Sequence, residues 1–254
     1  AEKWPAIRAG KVTSNDGGQR HDWPPHNGAV ADAAAWKKDA GLYDIGDIVA
    51  FEDRGAYLYV AGDCTRAYSP RKLEHFTRQI VYLRPGTFVI FDRVKAKDAA
   101  FGKTFLLQAA KAPTGRAGQL TISNGKARLS VQTLLPEGAK VRLVQGEELY
   151  TIDGKSYPPA RDTGPAPECR IEVSPAKPQA ADCFLHVLTV ADEGAAGTEP
   201  ATAVVEGGQV TVTVGEARLT FVIDKVGGRI ELEGRARDLA DGITAAEESP
   251  AAGR

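Results

Sequence analysis

Short runs in which apolar and polar residues alternate, each closed by Gly, Pro or Asp, recur from residue 47 to residue 233. A two-residue period puts successive side chains on opposite faces of an extended backbone, so it selects strands over helices. The runs lie at 47–52, 56–60, 75–84, 87–94, 103–109, 127–135, 140–144, 170–173, 183–190, 203–206, 209–214, 218–224 and 229–233. In 209–214, Val210, Val212 and Val214 share one side, while Gln209, Thr211 and Thr213 share the other. One buried face and one wet face is the pattern of a β-sandwich. Arg84-Pro85-Gly86 reads as a tight hairpin, with Pro presetting φ and Gly supplying a positive φ. Asn124-Gly125, Asp153-Gly154, Gly207-Gly208 and Gly227-Gly228 read the same way. Helix is expected only at 31–38 and at 238–248, the latter running into a C-terminal tail. Segments 156–167, 175–181 and 192–202 read as loops.

With 254 residues the chain can bury a substantial core, and 43% hydrophobic with 26% charged residues is ordinary for a globular protein. A formal net charge of -1 provides no basic field for nucleic acid. An anionic polysaccharide would need only a local basic groove, which net charge does not exclude. No apolar run is long enough to span a bilayer, and no signal peptide stands at Ala1. The chain has no Met, so Ala1 reads as a processed or trimmed start. Cys64, Cys169 and Cys183 match no metal or redox spacing. Cys169 and Cys183 fall in two candidate neighbouring strands and can pair in an oxidising compartment; three buried thiols is the favoured expectation.

The densest set of motifs runs from Gly46-Asp47-Ile48-Val49-Ala50-Phe51 through Gly62-Asp63-Cys64-Thr65-Arg66-Ala67-Tyr68 and Phe76-Thr77-Arg78-Gln79 to Leu83-Arg84-Pro85-Gly86-Thr87-Phe88-Val89-Ile90-Phe91-Asp92-Arg93-Val94. Asn15-Asp16-Gly17-Gly18-Gln19-Arg20 precedes it. Leu134-Leu135-Pro136, Arg170-Ile171-Glu172-Val173-Ser174-Pro175 and Asp182-Cys183-Phe184-Leu185-His186-Val187-Leu188 follow. In order and spacing this set resembles the C-terminal β-domain of heparinase II/III-like polysaccharide lyases, over roughly residues 15–188. The resemblance implies an all-β fold, a large two-layer antiparallel β-sandwich of the lyase supersandwich type with little helix. A boundary near 192–202, beyond which strands are short and aromatics thin out, divides the chain into a heparinase II/III-like sandwich, 1–192, and a C-terminal β extension with a short helix and tail, 193–254.

Such lyases cleave uronic-acid-containing chains by β-elimination: a base takes the C5 proton, an acid protonates the leaving oxygen, and a polar group neutralises the carboxylate. The resemblance assigns those roles to Asn and Tyr on an N-terminal helical toroid and to a His early in the β-domain. No toroid is legible here, and the fourteen residues before Asn15 contain no His. Gln108 stands where relatives often place His, and an amide does not shuttle protons at neutral pH. The main catalytic set is therefore expected outside this chain.

His21, Asp22 and His26 flank the rigid turn Trp23-Pro24-Pro25. His21, Trp23 and His26 are the candidates for substrate contact, with the indole able to stack on a sugar. His21, Asp22 and His26 are the candidates for zinc, which some relatives carry in this domain, although three ligands so close together do not match a usual zinc spacing. Plain loop structure is the third reading. Arg78 and Arg93 are charges set in apolar strands and need partners; Asp63 and Asp92 are the nearest in sequence. Pairing within the sandwich and a role facing substrate both stay open. Tyr68 reads as a packed ring with its hydroxyl capped, and His75 and His186 as satisfied strand histidines.

Two functions from different classes follow. The first is the C-terminal portion of a secreted or periplasmic lyase-like protein, whose partners are an acidic polysaccharide and an N-terminal helical domain. The second is a carbohydrate-binding or self-assembling surface protein without chemistry, in which open sheet edges pair copies into a homo-oligomer.

Overall fold

The computed structural model describes residues 32–38, 46–152, 154–158, 164–195, 197 and 199–244. One short helix, α1 (Ala33–Lys38), begins where the Asp32 carboxylate accepts from the Ala35 N–H at 2.8 Å. Apart from short 3-10 turns at Thr65–Ala67 and Gly146–Tyr150, the regular structure of the other described residues is antiparallel sheet, as the alternation requires.

Eight strands form a central sheet: β1 (Asp47–Asp53), β2 (Tyr57–Asp63), β3 (Leu73–Leu83), β4 (Thr87–Ala96), β6 (Thr114–Arg116), β7 (Gln119–Asn124), β8 (Ala127–Leu135) and β13 (Ala181–Asp192), in the spatial order β1-β2-β3-β4-β13-β8-β7-β6. A three-stranded sheet joins β5 (Phe105–Ala109), β12 (Cys169–Ser174) and β9 (Lys140–Gln145) in that order. A two-residue pair, β10 (Thr151–Ile152) and β11 (Lys155–Ser156), closes the excursion after β9. The last sheet is a meander of β14 (Thr202–Glu206), β15 (Gln209–Val214), β16 (Ala217–Val222), β17 (Gly228–Leu232) and β18 (Arg235–Leu239).

The central sheet is buried on both faces. Tyr59, Val81, Val89, Phe91, Leu185 and Val187 project to one side and pack on Val210, Val212, Leu219, Phe221 and Ile230 of the five-stranded sheet. The rings of Phe91 and Phe221 stack at 4.8 Å across this seam. Residues of opposite parity, among them Phe184 and Leu188, meet Phe105, Ile171 and Val173 of the three-stranded sheet on the other side. Each pairing is an antiparallel sandwich, and the two share the central sheet. The strands after residue 192 thus complete a core begun by the strands before it.

Three local expectations change. The described part of 238–248 is not helical: Asp238 and Leu239 end β18, and Ile243 bridges in parallel to Phe51 of β1. Leu239, 4% exposed, belongs to the core, and burying it on a sheet outweighs weak local helix propensity. At the β3–β4 turn the Arg84–Pro85 peptide is cis, and Gly86 does not adopt positive φ. Gly86 is needed for space, since a Cβ there would lie 2.8 Å from the Val190 carbonyl oxygen. Cys169 and Cys183 are not on neighbouring strands. β12 pairs with β5 and β9, β13 pairs with β4 and β8, and all three cysteines are free thiols. By contrast, Gly207 and Gly208 have φ of 56° and 75°, the left-handed pair that a two-residue hairpin uses.

Candidate functional site

Segments 62–68, 76–79, 83–94 and 182–188 bring side chains together on the face of the central sheet that meets β5. Arg78 of β3 stands opposite Asp92 of β4 in the register. Its Nε and Nη2 donate to the two Asp92 oxygens at 2.7 and 2.6 Å, a bidentate pair. The guanidinium lies 5.4 Å from the Phe105 ring centre and 5.7 Å from that of Phe76. Tyr68, just past the turn at Thr65–Ala67, packs edge-on against Phe76 at 5.8 Å. Cys64 lies close enough to both Arg78 and Asp92 for their charges to act on its thiol, which burial pushes above the ordinary value.

The charge state of the pair follows from its surroundings. The Asp92 side chain is 3% exposed, and burial pushes its carboxyl above the usual carboxylate range against the hydrogen bonds and charge of Arg78. Burial works against the Arg78 charge too, but the Asp92 bonds and charge outweigh it and hold the guanidinium firmly protonated. The Arg78 side chain stays 37% exposed, and among the described residues nothing accepts from its Nη1. One edge of a fixed, flat cation therefore remains for an anion, and a carboxylate or sulfate oxygen fits that edge.

His186 of β13 lies behind this pair, wholly buried. Its ring stacks on Phe105 at 3.8 Å between centres, and Nδ1 meets Thr133 Oγ1 at 3.1 Å. Among the described residues Nε2 has no partner, so the expectation of a satisfied histidine holds there for one ring nitrogen only. Burial first, and the Arg78 charge second, drive its pKa down to about 3, which keeps the imidazole neutral.

Asp92 is the Arg78 partner, as one of the two sequence candidates. Asp63 is not. Its Oδ1 accepts the Thr65 N–H at 2.9 Å and shapes the turn instead. Arg93, one residue from Asp92, points to the opposite face. It donates to Thr77 Oγ1 at 2.9 Å and to the Ile223 carbonyl at 3.2 Å, tying the central sheet to the five-stranded one. His75 is half-buried with Nε2 3.3 Å from Thr77 Oγ1. Gln108 lies on the exposed outer face of the three-stranded sheet, opposite Arg170, and takes no part in the cluster. His21, Asp22, Trp23 and His26 lie outside the described residues, and so do the zinc and substrate-contact readings that rest on them. Among the described residues no group of three or more His, Cys, Asp or Glu side chains could hold a metal ion. Sequence reading missed Phe105 and Thr133, which complete the surroundings of Arg78 and His186. Both come from strands distant in sequence and carry no local signal.

Among solved structures, the chain is similar to heparan sulfate lyases. It matches heparan sulfate lyase HepC from Pedobacter heparinus at 11% identity and a TM-score of 0.47, over 76% of this chain and 27% of that one. It matches a heparinase III gene product at 12% identity and 0.48, over 88% and 33%. The chain thus spans about a quarter to a third of the length of these lyases. No family model and no curated protein matches the sequence. Among the described residues no helix is long and apolar enough to cross a membrane.

Proposed function

We propose that this chain is the C-terminal β-sandwich portion of a polysaccharide lyase-like protein that acts on uronic-acid-containing glycans by β-elimination, in a secreted or periplasmic setting. The observation that carries the reading is the open edge of Arg78, held charged by Asp92 where several segments of the lyase-like motif set meet. Elimination requires the sugar carboxylate to be neutralised while the C5 proton leaves, and a prealigned guanidinium supplies that without reorganising. The imidazole beside Arg78, that of His186, is buried and roofed by Phe105, out of reach of a substrate proton. Proton transfer belongs in this reading to an N-terminal helical part, with Arg78 at or near the junction. In this reading residues 1–192 belong to the lyase-like portion and 193–254 to a C-terminal extension, whose described strands cover the second face of the central sheet.

The test joins the chain to its helical part and follows the unsaturated uronate formed from acidic polysaccharides. Activity that falls at least tenfold on Arg78→Lys, which keeps a cation beside Asp92 but takes away the second edge of the flat guanidinium, while the far-UV spectrum and unfolding midpoint stay near those of the parent, is the expected result. Absence of unsaturated product from every acidic polysaccharide tried would overturn the lyase reading and leave a binding sandwich in its place.

A further inference from the structure

The central sheet is wider than the five-stranded sheet that covers it. Toward β6 its face runs out from under the meander and becomes the floor of an open groove of about 870 Å³. A sheet face normally changes from apolar to scattered polar residues where cover ends. Here the change is ordered. Thr87, Thr189, Ser130 and Thr121 stand directly opposite one another on four adjacent strands, β4, β13, β8 and β7. They form one row of hydroxyls at the interstrand spacing of roughly 4.8 Å. Thr87 Oγ1 and Thr189 Oγ1 meet at 3.2 Å. Among the described residues, the Ser130 and Thr121 hydroxyls have no side-chain partner, and all four residues are half-buried rather than fully wet.

A second row runs parallel to the first, from Gln132 to Gln119 to Arg116. Gln132 is structural: its amide donates to the Ala201 carbonyl at 2.7 Å and accepts from the Ala201 N–H at 2.8 Å. That clamp holds the chain before β14 as a wall of the groove, with Pro200 on it. The turn at Gly215 between β15 and β16 forms the facing wall. Arg116 is exposed and gives Nε and Nη2 to the neutral Gln119 Oε1 at 3.1 and 2.8 Å, with no carboxylate against it among the described residues. Arg128, on the same floor, donates to the Ala195 carbonyl at 2.9 Å. Glu199 and Glu216 stand on the walls, not on the floor.

We infer that this groove is a glycan-binding site separate from Arg78, taking an acidic sugar strand laid across β4, β13, β8 and β7. Hydroxyl and amide side chains in a shallow trough match the alternating donors and acceptors of sugar hydroxyls. An apolar peptide would leave the row unsatisfied. Arg116 at the β6 end supplies the charge that selects a carboxylate- or sulfate-bearing sugar over a neutral one. Polar side chains held by a sheet are preorganised, so little is lost on ordering them. The site does not depend on the chain being part of a lyase, and it would serve to hold a long substrate or to fix the protein on one.

The experiment titrates the full chain with an acidic, uronate-containing hexasaccharide and with a neutral hexasaccharide of equal length, by calorimetry at low and moderate salt. Native protein and Lys140→Glu, an exposed control on β9 away from the groove and from Arg78, should bind the acidic sugar alike. Arg116→Glu should weaken binding at least tenfold, and Ser130→Val with Thr121→Val should weaken it by a similar factor while the unfolding midpoint holds. Failure of the native chain to bind the acidic sugar overturns the inference. So does equal affinity for the neutral sugar, or binding that survives both groove variants. Loss on Arg78→Ala alone would assign the binding to the Arg78 edge and remove the groove from consideration.

Discussion

His186 sets a pH dependence that can be worked out in advance. The ring is wholly buried and its pKa is driven from an ordinary 6.5 to about 3. In the unfolded chain it takes up a proton below 6.5; in the folded chain it stays neutral until far lower. A depressed folded pKa means the stabilisation is fully present above 6.5 and is lost as pH falls toward 3. Each unit of this window costs about 1.4 kcal/mol, so acidification from about pH 7.5 to about pH 5 removes roughly 2 kcal/mol through this residue. His186→Phe keeps a flat ring against Phe105 and removes the titration. It lowers stability at neutral pH by about 1 kcal/mol, the worth of the Thr133 bond. Urea unfolding of both proteins at several pH values checks the difference. The wild-type midpoint should fall faster with acid than that of the variant, and His75, common to both, cancels. Parallel profiles would refute the reasoning and show that water reaches Nε2.

Other perturbations follow from the same contacts. Asp92→Ala leaves the Arg78 cation half-buried without its partner and should cost about 2–3 kcal/mol, below the range for a fully buried pair because Arg78 retains access to water; denaturant unfolding reads it. Phe221→Ala removes the ring stacked on Phe91 and should cost about 3–5 kcal/mol, with exposure of apolar surface to a dye at the seam. Gly86→Ala forces a Cβ against the Val190 carbonyl and should lower stability by about 1–3 kcal/mol on a thermal melt.

Much of the fold was legible because alternation is a local signal. The edges of 127–135 and 209–214 coincide with β8 and β15. The short strands Thr114–Arg116 and Gln119–Asn124 escaped because they lie near the sheet margin, where three residues cannot show a period. Leu239 escaped because the alanine- and acid-rich stretch that follows it resembles a helix until its long-range burial is known. In the candidate site, Arg78 and Arg93 were visible as charges in apolar strands, with Asp63 and Asp92 as the nearest acids in sequence. Which acid served which arginine was not visible, because Asp92 and Arg93 are adjacent and face opposite cores. Sequence proximity made Asp63 look equivalent to Asp92, although a turn residue can spend its carboxylate on its own backbone.

A strand covered on both faces has little wet surface on which to put its polar residues, and β3 shows how the fold resolves this. Thr77 and Gln79 face the meander while Arg78 faces β5. Gln79 Oε1 accepts from Tyr59 Oη at 2.7 Å and from the Gly227 N–H at 2.9 Å, and Tyr59 Oη also accepts from Gly227 at 3.1 Å. The Gly227 N–H can only donate, so it fixes the amide with its oxygen inward and leaves Gln79 Nε2 buried without a partner among the described residues. Gln79→Leu removes that unsatisfied donor but also takes away the acceptor of the Tyr59 O–H, so one stranded donor replaces another. Its cost should stay within about 1 kcal/mol. Tyr59→Phe alone should likewise be mild, since Gln79 keeps the Gly227 N–H. The double variant strands only the Gly227 N–H, so the two costs should add to within about 0.5 kcal/mol. A marked excess in urea unfolding would mean that the Tyr59 hydroxyl finds water in Gln79→Leu, and that this polar seam is wet.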